Sequence, residues 1–128
     1  MIYVDSSVAL AHLLAEDRVP SERLWAEELV ASRLLEYEVW IRIHARRLAR
    51  SHEEPVRALF ARFAFLDLSR PILDRALEPF PAAVRTLDAL HLASVEFLRR
   101  NGQDVELATL DSRQAAAARR MRIPLFSV

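Results

Sequence analysis

Short apolar runs alternate along the chain with longer stretches whose apolar positions recur at helical spacing. Ile2-Tyr3-Val4 is β-prone and continuously apolar, as suits a strand buried on both faces, and it stops at Asp5 ahead of a helical stretch from Ser6 to about Glu16. Pro20, a good first-turn residue, opens a helix predicted through Leu29, with a short strand at 29–31. Helices are predicted next from Leu34 to Arg50 and from Glu53 to Phe63, followed by a strand at 65–68. Ser69 is placed as the cap of a short helix that begins at Pro71. Beyond the breakers Pro79 and Pro81, Thr86 reads as the N-cap of a strongly periodic helix that runs to Arg100 and ends at Asn101-Gly102. A strand at 105–110, an alanine-rich helix opened by Asp111 and Ser112 and running to about Met121, and an apolar strand at 124–128 complete the pattern. Short strands alternating with amphipathic helices predict βαβ units, hence a three-layer α/β/α sandwich around a central, mainly parallel sheet. Residues 1–128 read as one domain, without repeat, linker or low-complexity segment.

Composition narrows the chemistry. With 52% hydrophobic and 28% charged residues, the chain can bury one core and is neither disordered nor fibrous. It has no apolar run of the roughly 18 residues a membrane span needs, no leader-like N-terminal segment and no cysteine, so the expectation is a cytoplasmic protein without disulfides. The one glycine, Gly102, excludes Gly-rich phosphate and dinucleotide loops. All 18 basic residues are arginine, which removes lysine-dependent chemistry, and four scattered histidines (His12, His44, His52, His91) make a poor zinc site. The formal net charge of zero does not by itself announce nucleic-acid binding.

What remains is carboxylate chemistry, and the acids stand in suggestive places. In a parallel sheet, sites form outside the carboxyl ends of the strands. Asp5 directly follows the first predicted strand and Asp111 the strand at 105–110, so both belong to one sheet edge. Asp88, in the first turn of its helix, shares a face with Val84, His91, Leu92 and Val95, while Glu38 lies on a stripe with Leu34, Ile41, Ala45 and Leu48. Each acid alone has a plainer reading. Asp5 and Asp111 also read as helix N-caps, Asp88 as a favourable first-turn charge, and Glu38 as the i,i+4 partner of Arg42. Periodicity does not separate Glu38 from Glu36, and His91 reads as a hydrogen-bonded core histidine. Trp25, Trp40, Phe60 and Phe63 read as core or dimer-contact residues. Jointly the acids say more, because several carboxylates at one partly buried edge raise each other's pKa unless a cation neutralises them. Oxygen-only ligands select hard ions such as Mg²⁺ or Mn²⁺, whose chemistry beside a phosphate is hydrolysis by an activated water.

Four segments, MIYVDSSVAL, ASRLLEYEVWIRIHARR, RTLDALHLASVEFL and LATLDSRQAAAARRMRIPLFSV, give the chain a resemblance over nearly its whole length to the PIN-domain ribonucleases, and among them to the VapC toxins of bacterial toxin–antitoxin pairs. The resemblance implies a single PIN domain and an acidic quartet at Asp5, Glu38, Asp88 and Asp111 that binds Mg²⁺, with Mn²⁺ able to substitute. Glu38 is taken over Glu36 because the S-x-L-L-x-x-E register from Ser32 places the family's glutamate there. Ser6 and Thr109 are implied as supporting residues, with His91 structural or behind the ligands. Also implied are an RNA substrate, a homodimer and a cognate antitoxin in the active-site groove. Arg42, Arg46, Arg47 and Arg50, on the glutamate helix, are candidates for RNA contact or a merely solvated face.

Two rivals stand beside this reading. A non-catalytic RNA- or partner-binding protein of the same fold would use the acids as helix caps. A phosphatase of the haloacid-dehalogenase kind would need a second Asp where this chain has Ser7, and a lysine it lacks.

Overall fold

In a computed structural model that describes all 128 residues, six α-helices surround a four-stranded parallel sheet. The strands are β1 (Ile2–Val4), β2 (Leu29–Ser32), β3 (Phe63–Leu66) and β4 (Glu106–Ala108), in the order β3-β2-β1-β4. The helices are α1 (Ser6–Leu14), α2 (Leu34–Ala45), α3 (Ala49–Phe60), α4 (Arg70–Ala76), α5 (Thr86–Arg100) and α6 (Ser112–Arg120). The order reverses beside β1: the chain builds outward through β2 and β3 on one side, then returns to lay β4 on the other. Such a switch point opens a crevice at the carboxyl ends of the two flanking strands.

Strand alternation sorts the core into two layers. Ile2, Val4, Leu29 and Ala31 pack with Val8 and Leu13 of α1, Leu35, Val39 and Ile43 of α2, and Val56 and Leu59 of α3. Tyr3, Val30 and Leu107 face the opposite way, onto Leu92 and Val95 of α5 and Ala117 and Ala118 of α6. The three-layer sandwich with a parallel sheet is therefore the observed architecture. Phe63 lies in the first layer and Trp25, Trp40 and Phe60 pack against it, as their core reading requires. No helix is long and apolar enough to cross a membrane.

Several boundaries differ from expectation, each for a local reason. The helix expected from Pro20 is only a 3₁₀ turn, Glu22–Ala26, capped by the Ser21 hydroxyl; Glu27 is already extended, which delivers the chain to β2. The helix expected from Leu34 to Arg50 breaks after Ala45. The Arg47 N–H bonds His44 O and the Leu48 N–H bonds Ile43 O, a Schellman closure that puts Arg47 in the left-handed region at φ 56°. A new helix then starts at Ala49, four residues before Glu53. Phe63 itself belongs to β3, which begins two residues earlier than the strand expected at 65–68. Ser69 precedes α4 but makes no capping bond; its hydroxyl is buried without a partner. Thr86 is the first helical residue of α5 and Arg85 is the residue before it. The end of α5 is as expected: Gly102, at φ 85°, and Gln103 donate back to Arg99 O and Leu98 O. The strand expected at 124–128 is one parallel bridge, Leu107 to Leu125, made by two hydrogen bonds of 2.8 Å.

Candidate active site

Asp5 leaves β1 at the switch point, and its backbone N–H still bonds Ala108 O of the neighbouring strand. Its carboxylate caps α1 by accepting from the N–H groups of Ser7 (3.1 Å) and Val8 (3.4 Å). The same oxygen receives the Ser7 hydroxyl, and Oδ2 receives the Thr109 hydroxyl. Capping is thus part of what Asp5 does, but both side-chain hydroxyls come to the carboxylate as well. At 4% exposure the group is desolvated, and burial raises its pKa although the bonds from Ser7 and Thr109 pull the other way.

Thr109, just past β4, ties two acids together. While its hydroxyl donates to Asp5, its Oγ1 accepts the Asp111 N–H at 3.1 Å. Asp111 caps α6 through Oδ1, which accepts from Arg113 N (2.9 Å) and Gln114 N (3.2 Å). Its second oxygen, Oδ2, turns toward α5 and meets Arg85 Nη2 at 3.1 Å. The Nε of that guanidinium holds Asp88 Oδ2 at 3.2 Å, so one arginine joins the acids of α5 and α6. The paired carboxylates raise the pKa of the Arg85 guanidinium, Asp88 most.

Glu38 enters from α2. Ser6 Oγ donates to Oε2 at 2.9 Å and His91 Nε2 lies 2.6 Å from Oε1, so the expected pair with Arg42 is not formed. Glu36 instead pairs with Arg33 at 2.9 Å, which separates the two glutamates that periodicity could not. His91 is buried, and its Nδ1 sits 2.7 Å from the Tyr3 hydroxyl. Burial raises the Tyr3 pKa far beyond the working range, so the phenol keeps its proton. A phenol donating to Nδ1 leaves Nε2–H to face Glu38, and the imidazole serves as a rigid spacer between β1 and α2.

Asp5, Asp111 and Asp88 therefore share one hydrogen-bonded network through Ser7, Thr109 and Arg85, while Glu38 is fixed by a separate set, Ser6, His91 and Tyr3, with Ser6 on Glu38 rather than on the aspartate. Three participants were not foreseen as site residues: Ser7, Tyr3 and Arg85. Ser7 had a signal, since the second residue after an N-cap Asp is where a side chain folds back onto the carboxylate. Its hydroxyl also accepts the Leu110 N–H at 2.9 Å, pinning the loop after β4. Beside the site runs a groove of about 690 Å³ whose walls include Ser7, Leu110, Arg18, Arg42 and Arg46; Arg47 and Arg50 do not line it.

The donor set consists of four carboxylates, the chemistry that suits a hard divalent cation. As placed, no three acidic or histidine side chains close around a common point. A cation already stands between two of them, however, because the Arg85 guanidinium bridges Asp88 and Asp111. The residues fit such an ion in charge and donor type.

The PIN domain family model matches residues 2–120. In an alignment of 107 positions that covers 78% of each protein, the chain is 31% identical to ribonuclease VapC47 of Mycobacterium tuberculosis (strain CDC 1551 / Oshkosh). A solved toxin–antitoxin complex from Klebsiella pneumoniae contains a chain of the same fold, with a TM-score of 0.68 at 20% identity, covering 91% of both chains.

Proposed function

The chain belongs to the PIN domain family, and from that premise we propose that it is an endoribonuclease that hydrolyses RNA phosphodiester bonds with Mg²⁺, Mn²⁺ substituting, as the toxin of a toxin–antitoxin pair. One observation carries the reading. Four carboxylates from separate parts of the chain, residues 5, 38, 88 and 111, are each fixed by specific bonds: three of them joined through Thr109 and Arg85, and Glu38 held by Ser6 and His91. The ribonuclease name of the 31%-identical relative and the toxin–antitoxin neighbour support the same conclusion.

Each residue then has a task. Asp5, Glu38, Asp88 and Asp111 are the proposed metal ligands; a divalent ion bound there supplies a water of lowered pKa and neutralises charge developing on the phosphate. Ser7 and Thr109 hold the Asp5 carboxylate in one rotamer, and Ser6 and His91 do the same for Glu38. Arg18, Arg42 and Arg46, against Glu16 and Asp17, give the adjoining groove a small excess of positive charge for the RNA backbone. Water, not a side chain and not the ribose 2′-hydroxyl, attacks the phosphorus and the 3′-oxygen leaves, so the products carry 3′-hydroxyl and 5′-phosphate ends. The antitoxin occupies this same groove, and a second copy of the chain completes a homodimer.

Capping by Asp5 and Asp111 favours a second reading, a non-catalytic RNA- or partner-binding protein. End-labelled total RNA incubated with the purified protein separates the two. Cleavage with Mg²⁺ or Mn²⁺ is expected, lost with EDTA and in folded Asp5→Asn and Asp88→Asn variants. Intact RNA under all conditions, with no antitoxin copurified, would establish the binding reading, and cyclic 2′,3′-phosphate ends would contradict the water mechanism.

A further inference from the structure

Arg85 bridges two carboxylates, as Arg33, before α2, bridges Glu36 and Asp67; those of Arg33 are 33% and 87% exposed, and Arg85 differs in the acids it holds. It occupies the extended position before α5 with no capping bond of its own, and its side chain is 66% exposed. Yet two of its nitrogens are committed to carboxylates that are only 18% and 25% exposed and stand on different elements. Guanidinium and carboxylate are matched in geometry, and each pair shares a single oxygen, Asp88 Oδ2 or Asp111 Oδ2. Both oxygens belong to the proposed ligand set.

We propose that Arg85 is a tethered counter-ion that competes with the divalent cation for Asp88 and Asp111 and, when displaced, turns its guanidinium onto the phosphate of the RNA. The inference rests on the nuclease reading for its substrate. Arg85 and the divalent cation cannot both hold the same two oxygens without like-charge repulsion. The side chain is exposed, and besides the two carboxylates no hydrogen bond, ion pair or aromatic ring holds the guanidinium.

The alternatives predict different signs for one variant. If Arg85 only braced the two acids as a scaffold, removing it would loosen the site and weaken both ion and RNA. As an incidental surface pair it would change neither. As a competitor it must weaken ion binding while strengthening the use of RNA.

Calorimetric titration of Mn²⁺ into the full chain without RNA, for wild type, Arg85→Gln and Arg85→Lys, provides the test. Arg85→Gln is expected to bind Mn²⁺ about tenfold more tightly, the ordinary size of coupling between two ligands of one site. At saturating Mn²⁺ its kcat/KM for RNA is expected to fall by about tenfold or more, as for a lost charge-assisted phosphate contact. Arg85→Lys, which keeps the charge without the fork, falls between. Unchanged or weaker Mn²⁺ binding in a folded Arg85→Gln protein overturns the inference, as does an unaltered kcat/KM at saturating ion. A wild type that binds Mn²⁺ without cutting RNA would remove the nuclease reading and the phosphate contact, leaving the ion titration to decide the competition.

Discussion

Asp5 shows how one side chain serves fold and site together. It caps α1, yet it is buried and its pKa is raised chiefly by desolvation, so ionising it in the folded chain without a cation costs stability. The sign follows from proton counting. Between the ordinary value of 3.8 and the raised folded value, the native state holds the proton more firmly than the unfolded chain does, so this contribution falls as pH rises through that interval. Asp5→Asn removes the dependence while keeping an acceptor for the Ser7 N–H. In ion-free buffer, urea unfolding should show Asp5→Asn gaining on wild type as pH climbs from 4 to 7, even as RNA cleavage drops at least about 100-fold. A variant that lost ground with rising pH would show Asp5 to be a structural cap alone. Asp5 and Asp111 were legible because a strand that stops at an Asp is a local pattern, whereas Glu38 was separated from Glu36 only by the resemblance. The groups that fix these acids were not: Tyr3 meets His91 across 88 residues and Arg85 meets Asp111 across 26, contacts created only by folding.

The elements were readable wherever hydrophobic rhythm and a chemical stop coincided. Ile2–Val4 ends at an acid and α5 ends at Asn101-Gly102, and both stand where expected. The misplaced boundaries lack such a stop. Arg47 takes the left-handed conformation usually given to glycine, so nothing in its identity announces the end of α2, and the break is set by how α2 and α3 pack. Likewise the 3₁₀ turn at Glu22–Ala26 has helical spacing but too little chain before β2 to extend into a helix. Gly102 offers a direct check on the α5 terminus. A methyl there would meet no atom within 4 Å, so the cost of Gly102→Ala is conformational alone, φ 85° being strained for any side chain. Chemical denaturation should report a loss of about 1 kcal/mol with cleavage unchanged. No loss would mean that the terminus rewinds without its closing turn.

For the whole molecule, a resident divalent ion and the folded state should stabilise one another. An ion that binds only the native chain adds about 2.7 kcal/mol at a free concentration one hundred times its Kd. Thermal unfolding should therefore rise with added Mn²⁺, return on EDTA, and show no rise in Asp88→Asn; equal rises in both proteins would place the ion elsewhere. The sheet order has another consequence. Because β1 sits between β2 and β4, the first strand made is completed on one side by residues 29–32 and on the other only by residues 106–108. A growing chain on the ribosome thus carries Asp5 beside an open strand edge through most of its synthesis, with Thr109 and Asp111 still to come. On the proposed nuclease reading, the acidic site stays incomplete until they arrive.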